Sequence, residues 1–305
     1  MGTRCGVAAA AIALACPPVL VVSSSPASAA TLLGQWGSKG SGNGQFDRPM
    51  DVAVAPRGGD VYVTDYGNNR VEEFSATGRF IRSFNAGTYL PNPWGVAVGP
   101  NGDVYVTSNR NANVQEFSAT GVFIRKWGSG DGTFVDPRGI AVGPNGNVFV
   151  ADTGHGLIKE YTATGTFVRA WAPKDIGGSS APNWLAVGPG GDIYATTFAW
   201  VEKFSPGGTY LGAWGVNGTS TGQFPSAKGV AAGPDPYRDV FVIDVDASRG
   251  RVLEFEGSGR PVQTWAGPPS NASLFNNPQG IAVSPDYQVY IANTYSNSIL
   301  RFSPH

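Results

Sequence analysis

Histidine and cysteine are nearly missing from this chain of 305 residues, which has two of each. Both cysteines, Cys5 and Cys16, lie in the first stretch, so the rest has no thiol for a disulfide or for nucleophilic chemistry. The histidines are His155 and the last residue, His305. A catalytic zinc ion usually takes three protein ligands, so this large class of hydrolases and lyases is short of donors here. Charged residues make up only 14% of the chain, against a typical quarter. The formal net charge of −1 exerts no general pull on nucleic acid or anionic membrane, and neither partner is expected. No apolar run reaches the about 20 residues of a membrane helix, since Pro17-Pro18 interrupts the longest, from Val7 to Val22. The glycine run from Gly40 to Gly44 lacks the lysine of a phosphate loop and precedes no helical pattern, which excludes a nucleotide site.

What is present is glycine and proline, 43 and 23 residues, between short runs of Val, Ile, Tyr, Phe and Trp. That mixture specifies many strands joined by tight turns. The first 29 residues differ from the rest. Arg4, the apolar run and Ala27-Ser28-Ala29 have the order of a secretory signal with a small-x-small cleavage site. The expectation is therefore a signal peptide at 1–29, one domain at 30–305 and an extracellular location. A rival reading makes Cys16 a lipid-anchored N-terminus, although Ala13-Leu14-Ala15 departs from the usual motif.

A phrase opening with proline recurs: Pro49-Met50-Asp51-Val52-Ala53-Val54, Pro93-Trp94-Gly95-Val96-Ala97-Val98, Pro137-Arg138-Gly139-Ile140-Ala141-Val142 and Pro278-Gln279-Gly280-Ile281-Ala282-Val283. Asn183-Trp184-Leu185-Ala186-Val187 and Lys228-Gly229-Val230-Ala231-Ala232 are degenerate copies. The first three copies begin 44 residues apart, a period typical of four-stranded propeller blades. Each copy leads through a turn such as Gly99-Pro100-Asn101-Gly102 into an alternating strand such as Asp103-Val104-Tyr105-Val106-Thr107. A third strand and a fourth, such as Phe123-Ile124-Arg125-Lys126-Trp127, complete the unit. The sixth unit stops short of its fourth strand, while Leu32-Leu33-Gly34-Gln35-Trp36-Gly37 is a fourth strand without a blade. The fold expected is all-β: a six-bladed β-propeller of four-stranded blades, with the last blade completed by the N-terminal strand. Closure removes the open edge between first and last units and is expected to bury Leu33 and Trp36.

Pro-x-Gly-Ile/Val-Ala-Val, then Val-Tyr-Val-x-Asp, then Asn-x-Arg-Val-x-x-Phe resembles the NHL repeat, and Asp65 to Phe74 is its best copy. The resemblance extends over nearly all of Thr31 to His305. It implies a propeller whose relatives serve as secreted lyases, receptor sensor domains, RNA-binding modules and interaction discs. Peptidyl-hydroxyglycine lyases of this fold hold zinc with several histidines, and this chain departs from that pattern.

Function on such a disc belongs to loops and strand ends. Asp65, Asp152 and Asp244 occupy one position in three blades, and Asp246 lies just beyond. As oxygen ligands they would suit Ca²⁺, the one cofactor the sequence suggests. The competing role is to accept hydrogen bonds from their own loops. His155 is a lone loop imidazole, a general base only if something orients it. The x and Gly positions of the opening phrase should ring one mouth of the channel, placing Asp51, Trp94, Arg138, Asn183, Trp184, Lys228 and Gln279 there. Aromatic faces with Arg and Lys suit a polar or anionic ligand; plugging the channel is the plainer role for the tryptophans. Asn217-Gly218-Thr219 and Asn271-Ala272-Ser273 match glycosylation acceptors. The function expected is a binding or scaffold module for a protein or small ligand at this mouth, with a lyase or hydrolase lacking zinc as the alternative.

Overall fold

The computed structural model describes residues 30–85, 90–128, 133–174, 181–234, 236, 239–246, 249–265 and 274–304, with backbone alone for Arg249. Residues 1–29 with Cys5 and Cys16, on which the signal-peptide expectation rests, and Asn271 and His305 lie outside these residues. Strands form six four-stranded antiparallel sheets, each a blade. Blade 1 is Pro49–Val54, Val61–Asp65, Arg70–Phe74 and Phe80–Phe84, and blades 2 to 5 repeat this order. Blade 6 takes three strands, Pro278–Val283, Val289–Asn293 and Ser298–Ser303, from the C-terminal end and its outermost, Thr31–Trp36, from the N-terminal end. Thr31 pairs with Ser303 and Trp36 with Ile299. The ring is closed as the repeat count requires. No helix among the described residues is long and apolar enough to cross a membrane.

The closing strand corrects one sequence expectation. Leu33 does not pack inward; it is 41% exposed, and a bulge between Leu32 and Gly34 turns it outward. Leu32 and Trp36 face the core instead. One extra residue in a bulge flips every side chain before it to the other face, which alternation alone does not reveal.

Small inner strands and larger outer ones fill a wedge, and the cores lie between blades. Phe46, Val61 and Phe74 of blade 1 cluster with Tyr290, Ala292 and Ile299 of blade 6. Two devices repeat around the rim. The aromatic ending five of the six outer strands lies over a turn glycine of the next blade, and a Cβ on Gly78 would sit 2.6 Å from the Trp36 ring. Gly78 also has φ +87°, so two independent constraints demand glycine there. Just inside, a cation spans five of the interfaces, and between blades 5 and 6 Gln263 takes that place, donating to Pro304 O at 3.2 Å. Arg82 pairs with Glu73 at 2.8 Å and donates to Thr120 O at 3.1 Å; Arg169 pairs with Glu160 at 2.6 Å and donates to Gly207 O at 2.8 Å. Arg301 donates to Ala76 O at 2.9 Å across the closure. Blade 4 replaces the Arg–Glu pair with Lys203 on Asp192 at 2.9 Å, still reaching Gly257 O at 3.1 Å.

Candidate functional site: the channel mouth

The inner strands converge on the axis, and glycine lets them touch. A Cβ on Gly139 would lie 2.6 Å from Trp184 Cα, and one on Gly280 would lie 2.5 Å from Asp51 Cα. Gly95 and Gly229 meet the Arg138 and Gln279 carbonyls at 2.5 Å in the same way. Threonines on second strands tie this layer together: Thr107 accepts from Gly95 N–H at 2.8 Å and donates to Arg138 O at 2.6 Å. Five inner strands carry a register shift just after their first residue; blade 4, with Asn183-Trp184, pairs without one.

Asp51 and Trp184 stand where the other blades have glycine. Three blades apart in a ring of six, they face each other across the axis. Both are buried, at 5% and 3% exposure, so they form the floor of the mouth and not its rim. Asp51 accepts from Val52 N–H at 2.9 Å and from Val96 N–H, in the next blade, at 3.1 Å. The Trp184 indole N–H also faces this carboxylate but makes no hydrogen bond of normal geometry. Burial pushes Asp51 up to about 7, against the two backbone amides, which favour the charged form. Glu72 and Glu202 are likewise pushed up to about 7 by burial.

An acid whose pKa is raised on folding makes the folded state hold the extra proton. Its contribution is full below pH about 4 and is lost as pH rises through about 7. Urea midpoints should therefore fall between pH about 5 and about 8. Asp51→Asn should remove about 1–3 kcal/mol of that slope, whatever it does to absolute stability. A slope identical in parent and variant would show that Asp51 titrates normally.

The rim lies above this floor. Arg138 donates to Asp136 at 2.7 and 2.9 Å and to Asn183 Oδ1 at 2.7 Å, and its guanidinium lies 5.1 Å over the Trp94 ring. Trp94 in turn is 6.1 Å from the Trp184 ring, so one aromatic stack links rim to floor. Gln279 is buried and donates to Asn277 Oδ1 at 3.0 Å. Lys228 is half-buried and, among the described residues, makes no hydrogen bond or ion pair. Its pKa is lowered by burial and by the neighbouring Arg138 charge, with Asp244 opposing. Tyr66 and Arg48 extend the rim: Tyr66 sits edge-on to Trp94 at 5.7 Å, and Arg48 stacks 4.9 Å over Tyr66. The inter-blade loop carrying Arg48 was legible as a loop, but its fold over the next blade was not.

The repeated aspartates do not meet one another. Asp65 accepts from Asp47 N–H at 2.8 Å, Asp152 from Val135 N–H at 2.7 Å and Asp244 from Ser226 N–H at 2.9 Å, each binding its own blade to the preceding inter-blade loop. Their second oxygens take Arg70, His155 with Lys159, and Arg251. Burial raises the pKa of Asp65 and Asp244, while amides and arginines oppose it. Asp246 is exposed at a strand end. Among the described residues no three His, Cys, Asp or Glu side chains converge as a metal would require. His155, 2.7 Å from buried Asp152, is the imidazole whose orientation is fixed.

Six closed four-stranded sheets around one axis define a six-bladed β-propeller. Within that class the chain is an NHL-repeat propeller: the NHL repeat model matches residues 46–74, 90–117, 134–161 and 275–302, which are blades 1, 2, 3 and 6. No curated protein matches the chain at a significant level. Among solved structures it is similar to a streptogramin B lyase at 16% identity and TM-score 0.65, over 91% of this chain and 99% of that one. Virginiamycin B lyase from Staphylococcus aureus is similar at 14% identity and TM-score 0.62, over 84% and 95% of the two chains. A chain of a nidogen/laminin complex is similar at 17% identity and TM-score 0.60, over 81% and 86%. At these identities the likeness extends to the fold alone.

Proposed function

We propose that the chain is a secreted binding module whose channel mouth receives an anionic group, carried by a small ligand or by a partner protein. The observation carrying this is Lys228: a half-buried ammonium beside Arg138 that makes no ion pair or hydrogen bond among the described residues, Asp244 acting on it only from a distance. A cation held away from water next to another cation is unfavourable until an anion arrives. Arg138 supplies directed donors, Trp94 a flat apolar face, and Asn183 an amide. In a thermal-shift series of phosphate, sulfate and small carboxylates, at least one should raise the melting temperature. Arg138→Ala and Lys228→Ala should each weaken that anion by about 1.5–3 kcal/mol, with little change in the ligand-free melt. Binding should also fade at a lower pH than an ordinary lysine would dictate, because Lys228 loses its proton early. If both variants bind the anion as tightly as the parent, the mouth is not the site.

Catalysis is the second reading, favoured by the Asp152–His155 pair, in which a buried carboxylate leaves the other ring nitrogen to act as a base. Lyases among the structural neighbours, one of them an inactive variant with quinupristin, agree with it at the level of fold. Incubation with quinupristin and mass spectrometry tests it; a product formed by the parent and not by His155→Ala would support it.

A further inference from the structure

The opposite mouth of the channel has different chemistry. Six turns converge there, each bringing one proline: Pro56, Pro100, Pro144, Pro189, Pro234 and Pro285. Just beneath stands the last residue of each inner strand, a valine in five blades and Ala232 in blade 5. Among the described residues no charged side chain lines this funnel of about 270 Å³. Its backbone donors are turned into their own hairpins, as with Gly99 N–H to Asp103 O and Gly188 N–H to Asp192 O, both 2.8 Å. Proline has no N–H to offer. The funnel is therefore mainly hydrocarbon, with Ser284 as the one polar side chain among its described lining residues.

On one side it opens into a cleft of about 540 Å³ between blades 4 and 5, sharing Gly188, Pro189 and Ala232 with the funnel. Here the wall is polar, with Asp192, Lys203, Glu256 and Ser258. The donors are already engaged: Lys203 is held by Asp192 and Gly257 O, and Ser258 donates to Glu256. The acceptors are not exhausted, because each carboxylate offers about four lone-pair positions. Asp192 meets Lys203 through Oδ2 and Glu256 is paired with Arg260 through both oxygens, yet the two carboxylates keep 34% and 41% of their side chains exposed. Asp239 lines the same wall, so three carboxylates face one lining cation among the described residues, Lys203; a ligand entering this cleft must bring hydrogen-bond donors, and a positive charge suits this excess of acid.

We propose that the funnel and cleft together form a second ligand site, for an amine carrying an apolar ring or short chain, with the apolar part among the prolines and valines and the ammonium between Asp192 and Glu256. Size permits it: an apolar cavity of about 150 Å³ is enough to hold benzene. The site is a whole strand length from Arg138 and Lys228, and it stands or falls separately from them.

The test uses the full folded chain and 2-phenylethylamine, with 3-phenylpropionate as a probe of similar size and opposite charge, in calorimetric titrations. The amine should bind about tenfold or more tighter than the carboxylate. Ala232→Phe, which fills the junction of funnel and cleft, should abolish saturation. Asp192→Asn should weaken the amine by about threefold or more, and Arg138→Ala should leave it unchanged. Val187→Phe replaces Ala232→Phe if that variant fails to fold. Absence of saturable amine binding, equal binding of the two probes, or amine binding that survives the filling variant would overturn the proposal.

Discussion

A chain lacking residues 31–38 should lose about 3–5 kcal/mol of stability and melt far below the parent, or fail to fold. The truncation removes the outer strand of blade 6, with the Thr31–Ser303 to Trp36–Ile299 ladder. It strips Leu32 and Trp36 from the core, each side chain worth roughly 1.5–3 kcal/mol when fully buried and less here because both are partly exposed. It also bares the Ser298–Ser303 strand as an open edge, which invites association between chains. Urea denaturation and sedimentation measure both effects. Leu33→Ser is the control: with Leu33 outside, its midpoint should stay within about 0.5 kcal/mol of the parent. A truncated chain with the parent's midpoint would mean that closure contributes nothing.

Gly139→Ala is the second large effect, from a single methyl group. That methyl would lie 2.6 Å from Trp184 Cα and 2.8 Å from Asn183 O and Leu185 N, all backbone atoms that no rotamer change can move away. Overpacking usually costs about 1–3 kcal/mol, and with rigid neighbours the upper end, about 3 kcal/mol, is expected. Because the displaced strand carries Asn183 and Trp184, anion binding at the mouth should weaken with stability. Gly190→Ala, where nothing lies within 4 Å of the new methyl, should be nearly neutral. Equal midpoints for the two variants would refute this account of the inner ring.

The unit of the fold was plain in the chain because the opening phrase recurs in four regular copies and two degenerate ones. Pro-x-Gly openings and Asn-Gly turns mark strands that the structure places at the same residues, such as Pro137–Val142. The closing strand was legible from a surplus at one end and a deficit at the other. The direction of side chains at the channel was not. Reading Asp51 and Trp184 as rim residues assumed one geometry for all inner strands, whereas bulges in five blades and their absence in the fourth decide the pointing. No local pattern distinguishes a strand with such a shift from one without it. The proline funnel did leave a sign, since six turns carry proline at the same place. Proline there serves the turn equally well, so the sign has two explanations until the turns are seen side by side.

The pairing of Thr31 with Ser303 also sets an order of events in folding. About 270 residues separate these partners, so this ladder forms only after nearly the whole chain exists. Closing a loop of that length costs about 5 kcal/mol in chain entropy, and the first five blades lower that cost by bringing the ends together as they assemble. Blades 1 to 5 are built from neighbouring segments and can form locally, while blade 6 must wait. The slowest refolding phase should therefore report on blade 6, and a probe at Trp36 should register it after probes in blades 2 and 3 have settled.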